Sequence, residues 1–235
     1  MEIKSPQNQV IKDLIKLKTK KYRDKTNTIL VEGDHLIEEA SVAGLIIKTL
    51  GNDNDDIIIN DIVSSKLSLT SSGSKRFALI NKPQYKLNVG KRYLVLDGVQ
   101  DPGNVGTLIR SAYSFGFDFV ILSLDSADEY NDKTVRSSQG SVFHIPCLRM
   151  ELSEIYAYFK KNNIKTYATH VEDKSLQLES VNTNESLAVV MGSEGSGVSE
   201  LTLKSADSTL HIETSKFESL NVAIAGGIIC YRLRV

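Results

Sequence analysis

The sequence predicts an α/β protein with a parallel sheet in its C-terminal part and a smaller α/β module before it. Three observations predict this. From Tyr93 onward, short apolar runs alternate with segments of helical period, the pattern of strands joined by crossover helices. Three of the loops in this part are glycine-rich or polar where a plain scaffold needs only a short connector. Residues 81–92 mix Pro83, Gly90 and polar residues and read as a linker between the two parts.

In the first part, residues 6–21 read as one amphipathic helix, with Val10, Leu14 and Leu17 on an apolar stripe and Lys12, Lys16 and Lys20 on the other faces. Strands are predicted at 28–31, 45–50, 57–59 and 76–80. Helices are predicted at 33–43, closed by Gly44, and at 61–67. In the second part, strands are expected at 93–96, 119–122, 145–148, 165–169, 187–191 and 209–212. Helices are expected from Asn104 to Gly116 and over 152–161, 199–204 and 220–233, while residues 125–142 read as a loop. There is no internal repeat and no low-complexity tract.

The composition is that of an ordinary globular protein: 41% hydrophobic and 24% charged residues. The net charge of −1 hides an asymmetry, because residues 1–25 hold eight Lys/Arg against three Asp/Glu, a local +5 that leaves −6 for the rest. A basic end suits an anionic partner, although a solvated helix face is the commoner meaning of such a run. The two cysteines, Cys147 and Cys230, form no metal-ligand pattern and read as free buried thiols in a reducing, cytoplasmic setting. No apolar run is long enough to span a membrane, and the first residues lack the apolar core of an export signal.

The stretch LDGVQDPGNVGTLIRSAYSFG, residues 96–116, leaves a strand, breaks into a turn-rich loop and enters a helix that Asn104 can cap. Such a turn presents backbone N–H groups and the positive end of a helix at the carboxyl edge of a sheet. Arg110 lies nearly two turns into that helix; alone it reads as a surface charge. The second stretch, VVMGSEGSGVSE, runs from a strand into Gly192, Gly195 and Gly197 around Glu194, where glycines let a ligand approach the backbone. The third, HIETSKFESLNVAIAGG, is a strand end, a loop and a helix start at Ser219-Leu220-Asn221, whose Ala223, Ala225, Gly226 and Gly227 permit close helix packing. The patterns exclude other classes. GSEGSG lacks the lysine and spacing of a P-loop, and no serine sits in a hydrolase elbow. His35, His144, His170 and His211 show no metal-ligand spacing, and GVQDPGNVG is not a dinucleotide fingerprint.

Together and in this order, the three stretches resemble the three motifs of the SpoU (TrmH-like) RNA 2′-O-ribose methyltransferases of the SPOUT class. The segment SPQNQVIKDLIKLKTKKYRDKTNTILVEGDHLIEEA resembles the family's substrate-binding domain, a small L30e-like fold. The resemblance implies a SPOUT-type parallel sheet with a C-terminal trefoil knot over residues 91–235, and an L30e-like RNA-binding domain over residues 1–85. It also implies a homodimer through the C-terminal domain, S-adenosylmethionine as cofactor and no metal. The RNA substrate would be rRNA first and tRNA second. By motif position, Met191, Gly192, Gly195, Ile212, Leu220 and Asn221 would contact the cofactor. Arg110 would either take the proton of the ribose hydroxyl or orient that hydroxyl or a neighbouring phosphate. Asn104, Glu194, Ser219 and Asn221 would hold the ribose, the arginine and the loops. The chain departs from the family at Ile212-Glu213-Thr214, where the family carries Ile-Pro-Met, and the loop that follows is slightly shorter. A non-catalytic RNA-binding or ribosome-assembly factor on the same fold is the alternative reading.

Overall fold

The structure, a computed structural model, describes residues 1–172, 174–216 and 220–234. Among these residues the strands form two sheets. The first contains β1 (Glu2–Ile3), β2 (Thr28–Glu32), β3 (Ile46–Gly51), β4 (Ile57–Ile59) and β5 (Phe77–Asn81), in the order β1-β4-β3-β5-β2. Here β5 runs antiparallel to both of its neighbours, whereas β1, β4 and β3 are mutually parallel. Helices α1 (Gln9–Lys16), α2 (Lys20–Thr26), α3 (Asp34–Val42) and α4 (Asp61–Leu67) accompany this sheet. Ile11, Leu14 and Leu17 pack with Leu50, Val63, Leu67 and Phe77 in a core of their own.

The single helix expected over residues 6–21 is two. Thr19 is extended, and the buried Arg23 of α2 donates through Nη1 to the Leu17 carbonyl at 2.9 Å. A guanidinium thus takes a carbonyl that a continuing helix would have used. The same side chain reaches Asp128 of the second module at 2.6 Å.

The second sheet is entirely parallel. Its strands are β6 (Arg92–Asp97), β7 (Phe119–Leu122), β8 (Cys147–Arg149), β9 (Lys165–Thr169), β10 (Leu176–Gln177), β11 (Leu187–Gly192) and β12 (Ser208–His211), ordered β10-β12-β9-β11-β6-β7-β8. Helices α5 (Pro102–Ser114), α6 (Asp132–Ser137), α7 (Leu152–Lys161), α8 (Glu200–Ser205) and α9 (Val222–Arg232) cover it. Every residue of β6, β7 and β11 is buried, which explains their unbroken apolar runs. Strand β11 follows β6 and β9 in the chain yet lies between them. The strand order therefore reverses beside β6, and a cavity opens at the carboxyl edge formed by β9, β11 and β12.

Three other expectations change. The region 125–142 is not a plain loop: it carries α6, capped by Asn131, and a 3-10 turn at Ser141–Phe143. Gly106 of α5 lets α6 approach, since a Cβ there would meet the Thr134 carbonyl and the Ser138 amide. The short β1 and β10 leave no mark in the sequence pattern, and α9 begins at Val222 rather than at Leu220. The small-residue face of α9 does pack closely: a Cβ on Gly226 would overlap Leu108 of α5.

Residues 82–91 hold no helix or strand, but they are no loose tether. The Tyr85 hydroxyl donates to the Phe143 carbonyl at 3.0 Å, and the Lys82 ammonium lies 4.9 Å from the Tyr130 ring centre. Across the same seam His144 Nε2 is 2.7 Å from a Glu39 carboxylate oxygen, and Ile37, Ala40 and Ile80 join the core of the second module.

Candidate active site

The helix after the first glycine-rich stretch begins two residues before Asn104. Asp101 caps α5, accepting the Asn104 N–H at 3.0 Å, and Pro102 fills the first turn, where its missing N–H costs nothing. The expected cap at Asn104 is therefore corrected: its side chain is free for other partners. Asn104 Nδ2 donates to Glu194 Oε1, and Asn221 Nδ2 donates to Asn104 Oδ1 at 3.3 Å. Asn221 in turn caps α9, its Oδ1 accepting the N–H groups of Ala223 at 3.0 Å and Ile224 at 3.2 Å. One chain of hydrogen bonds thus joins all three stretches.

The glycine-rich turn after β11 is fixed from two sides. Ser193 and Gly197 exchange backbone hydrogen bonds at 2.9 and 3.0 Å, with Gly197 at φ +70°. A Cβ on Gly192 would collide with the backbone of Gly197 and Val198. The buried Asp97, at the end of β6, accepts the Ser199 N–H at 2.7 Å. This ties the turn to the strand that feeds α5.

Beside this network lies a cavity of about 590 Å³, within the range usual for small-molecule sites. Met191, Leu210, Ile212, Leu220, Val222, Ala225 and Ile229 give it apolar walls, and Thr169, His170, Glu194, His211 and Asn221 supply polar groups. An apolar chamber with a few polar groups suits a small organic ligand. Among the described residues no group of three or more His, Cys, Asp or Glu is placed to hold a metal ion.

Of the residues singled out in the sequence, Met191, Gly192, Glu194, Ile212, Leu220 and Asn221 line the cavity. Asn104 stands next to it through its two hydrogen bonds. Gly195 is exposed at the tip of the turn and is not in the lining. Ser219 lies outside the described residues. Arg110 is exposed, is not in the lining, and makes no hydrogen bond or ion pair with a described residue. It stands about 9 Å beyond Asn104 along α5, one turn after the exposed Thr107. In the departing segment Ile212 and Thr214 face the cavity, and Glu213 accepts from Gln177 at 3.3 Å.

Sequence reasoning misses Thr169, His170 and His211. The two histidines follow paired residues of neighbouring strands, since Leu210 pairs with Thr169 and the His170 N–H donates to the Leu210 carbonyl at 3.0 Å. Only strand register brings them together, and a scan for ligand spacing does not detect it.

A parallel sheet with a chamber at the carboxyl ends of β9, β11 and β12, edged by the glycine-rich turn after β11 and the capped start of α9, has the form of a small-molecule site. The chain belongs to the SpoU rRNA methylase family: residues 91–231 match that family's model, and residues 8–71 match the MRM3-like substrate-binding domain. It is 38% identical to the 23S rRNA (guanosine(2553)-2′-O)-methyltransferase RlmP of Bacillus subtilis, over 99% of both chains. It resembles the crystal structure of an rRNA methyltransferase from Sinorhizobium meliloti with a TM-score of 0.89 and 27% identity, over 99% of this chain and 96% of that one. The AdoMet-bound structure of an rRNA methyltransferase from the same organism gives 0.87 and 27%, over 99% and 97%.

Proposed function

We propose that this chain transfers a methyl group from S-adenosylmethionine to the ribose 2′-hydroxyl of a guanosine in large-subunit rRNA. The observation that carries the reading is the hydrogen-bonded set Asn104, Glu194 and Asn221 at the edge of the cavity. Full-length similarity to RlmP supports the choice of rRNA over tRNA.

The cavity's apolar walls and the backbone of the Gly192 turn would hold the cofactor, which supplies a methyl group on a sulfonium. Transfer forms a bond from the ribose oxygen to the methyl carbon and breaks the carbon–sulfur bond; the hydroxyl proton must leave. The work of the chain is to align oxygen and methyl and to lower the cost of that proton's departure. Arg110 is the residue for the second task, either orienting the hydroxyl or a phosphate that takes the proton, or accepting the proton itself. A guanidinium is ordinarily always protonated, which favours orientation. Asn104 and Glu194 hold the loop edges, and Ser219 belongs to the same group by motif position.

The basic N-terminal module, residues 1–85, would grip structured RNA, and residues 91–235 would carry out transfer. Its mixed sheet supports the L30e-like reading. The late insertion of β11 between β6 and β9 supports a trefoil knot. Exposed Ile224, Ile228 and Tyr231 on α9 support a homodimer through this helix, beside which Arg110 stands. The free, buried Cys147 and Cys230 accord with a reducing cytoplasm.

Purified protein, S-adenosylmethionine and unmodified rRNA should yield one new 2′-O-methyl mark in a ribose-methylation map. A folded protein that binds the cofactor and marks no RNA refutes the catalytic claim. The replaced Ile212-Glu213-Thr214 segment favours the second reading, a non-catalytic RNA-binding factor, and calorimetry showing no affinity for S-adenosylmethionine would establish it.

A further inference from the structure

His211 ends β12 and lines the cavity, yet nothing above assigns it a role. The residue is partly exposed, but Nδ1 is buried and has no hydrogen-bond partner among the described residues. A neutral imidazole carries its proton on one nitrogen only. A proton on Nδ1 would be a buried donor with no acceptor, among the rarest defects in folded proteins. The bare lone pair is the lesser loss. The proton therefore belongs on Nε2, at the other edge of the ring, in a residue that lines the cavity.

We infer that His211 is a specificity-determining residue of the cofactor site, its Nε2–H a fixed donor to an acceptor atom of bound S-adenosylmethionine. This rests on the cofactor reading above. The cofactor offers such acceptors at both ends: ring nitrogens and ribose oxygens in the nucleoside, and the carboxylate in the amino-acid tail. The ring is held by its place in the sheet, where His211 pairs with Gln177 of β10 and follows Leu210, which pairs with Thr169 of β9. A donor held in this way adds orientation to a chamber whose walls are otherwise largely apolar.

The test is calorimetric binding of S-adenosylmethionine, S-adenosylhomocysteine and 5′-methylthioadenosine to the full chain. Thermal unfolding would check that each variant is folded. His211→Leu should weaken the first two by about tenfold, the effect of one hydrogen bond. His211→Gln, whose amide nitrogen falls near the Nε2 position, should recover most of the loss, whereas His211→Asn, which mimics Nδ1, should not. Equal weakening of 5′-methylthioadenosine places the acceptor in the nucleoside, and no weakening places it in the tail. Nitrogen-15 histidine spectra should show the Nε2–H form. Wild-type affinity in a folded His211→Leu variant, equal recovery by Asn and Gln, or an Nδ1–H signature overturns the inference. Failure of the wild type itself to bind would instead sink the cofactor reading.

Discussion

Asn104 shows how the identity of a cap decides what a neighbouring side chain can do. Because Asp101 and Pro102 start α5, the Asn104 amide is left to bridge Glu194 and Asn221, 90 and 117 residues away in sequence. Each of these polar residues is legible as an oddity in a glycine-rich or polar loop. Their joining is not, because nothing local encodes a contact over that separation. Arg110 lies at the opposite extreme: its helix is legible, and its exposed side chain makes no hydrogen bond or ion pair with a described residue. Arg110→Ala should lower turnover roughly 10²–10⁴-fold while cofactor affinity measured by calorimetry stays unchanged. Arg110→Lys should recover little, since a point charge lacks the planar fork. Unchanged turnover in the alanine variant would remove Arg110 from the reaction.

At the scale of elements, apolar patterning decides what the sequence reveals. Strand β7, strand β9 and helix α7 are legible to the residue, because each has a clear apolar pattern and a polar or glycine boundary. The two-residue β1 and β10 are too short for any period to register, and α6, no shorter than the legible α8, carries a single apolar residue, Val135. What places α6 is tertiary, namely the gap left by Gly106. Gly106→Ala would push a methyl into backbone that cannot yield, and should cost about 1–3 kcal/mol in urea unfolding. Asp101 adds a pH dependence to the head of α5. Lys133 and then the Asn104 N–H hold its carboxyl below the usual carboxylate range. Its folded value is depressed, so its stabilisation is present above the unfolded value, about 3.9, and is lost as pH falls through the folded value. Asp101→Asn keeps a cap but loses the charge. Urea unfolding should therefore separate it from wild type at pH 6, with the gap closing below about pH 4. A gap that persists in acid would contradict the assignment.

Across the whole molecule, the basic run of residues 1–25 is less free than the sequence suggests. Lys16 pairs with Asp13 at 2.7 Å and Lys20 with Asp24 at 2.5 Å, while Lys12 is exposed. Exposed pairs of this kind exchange readily for phosphate, because each is worth little in water. Replacing Lys12, Lys16 and Lys20 by alanine should weaken rRNA binding in filter assays. The log–log salt slope should also flatten, by roughly 0.9 for each phosphate no longer neutralised. Identical affinity and slope would leave the run as a solvated face.

The buried Arg92 at the start of β6 donates through Nε to the carbonyl of Leu233 at 2.6 Å and through Nη1 to that of Glu185 at 2.7 Å. The first strand of the catalytic sheet is therefore latched to the turn that ends its last helix, and Asn221 opens that same helix. A ribosome delivers these partners at opposite ends of a long interval of synthesis. While the chain is still emerging, the chamber lacks a wall and the Arg92 Nε–H lacks the Leu233 carbonyl. The cavity is thus completed in one late step, once α9 is out and docked.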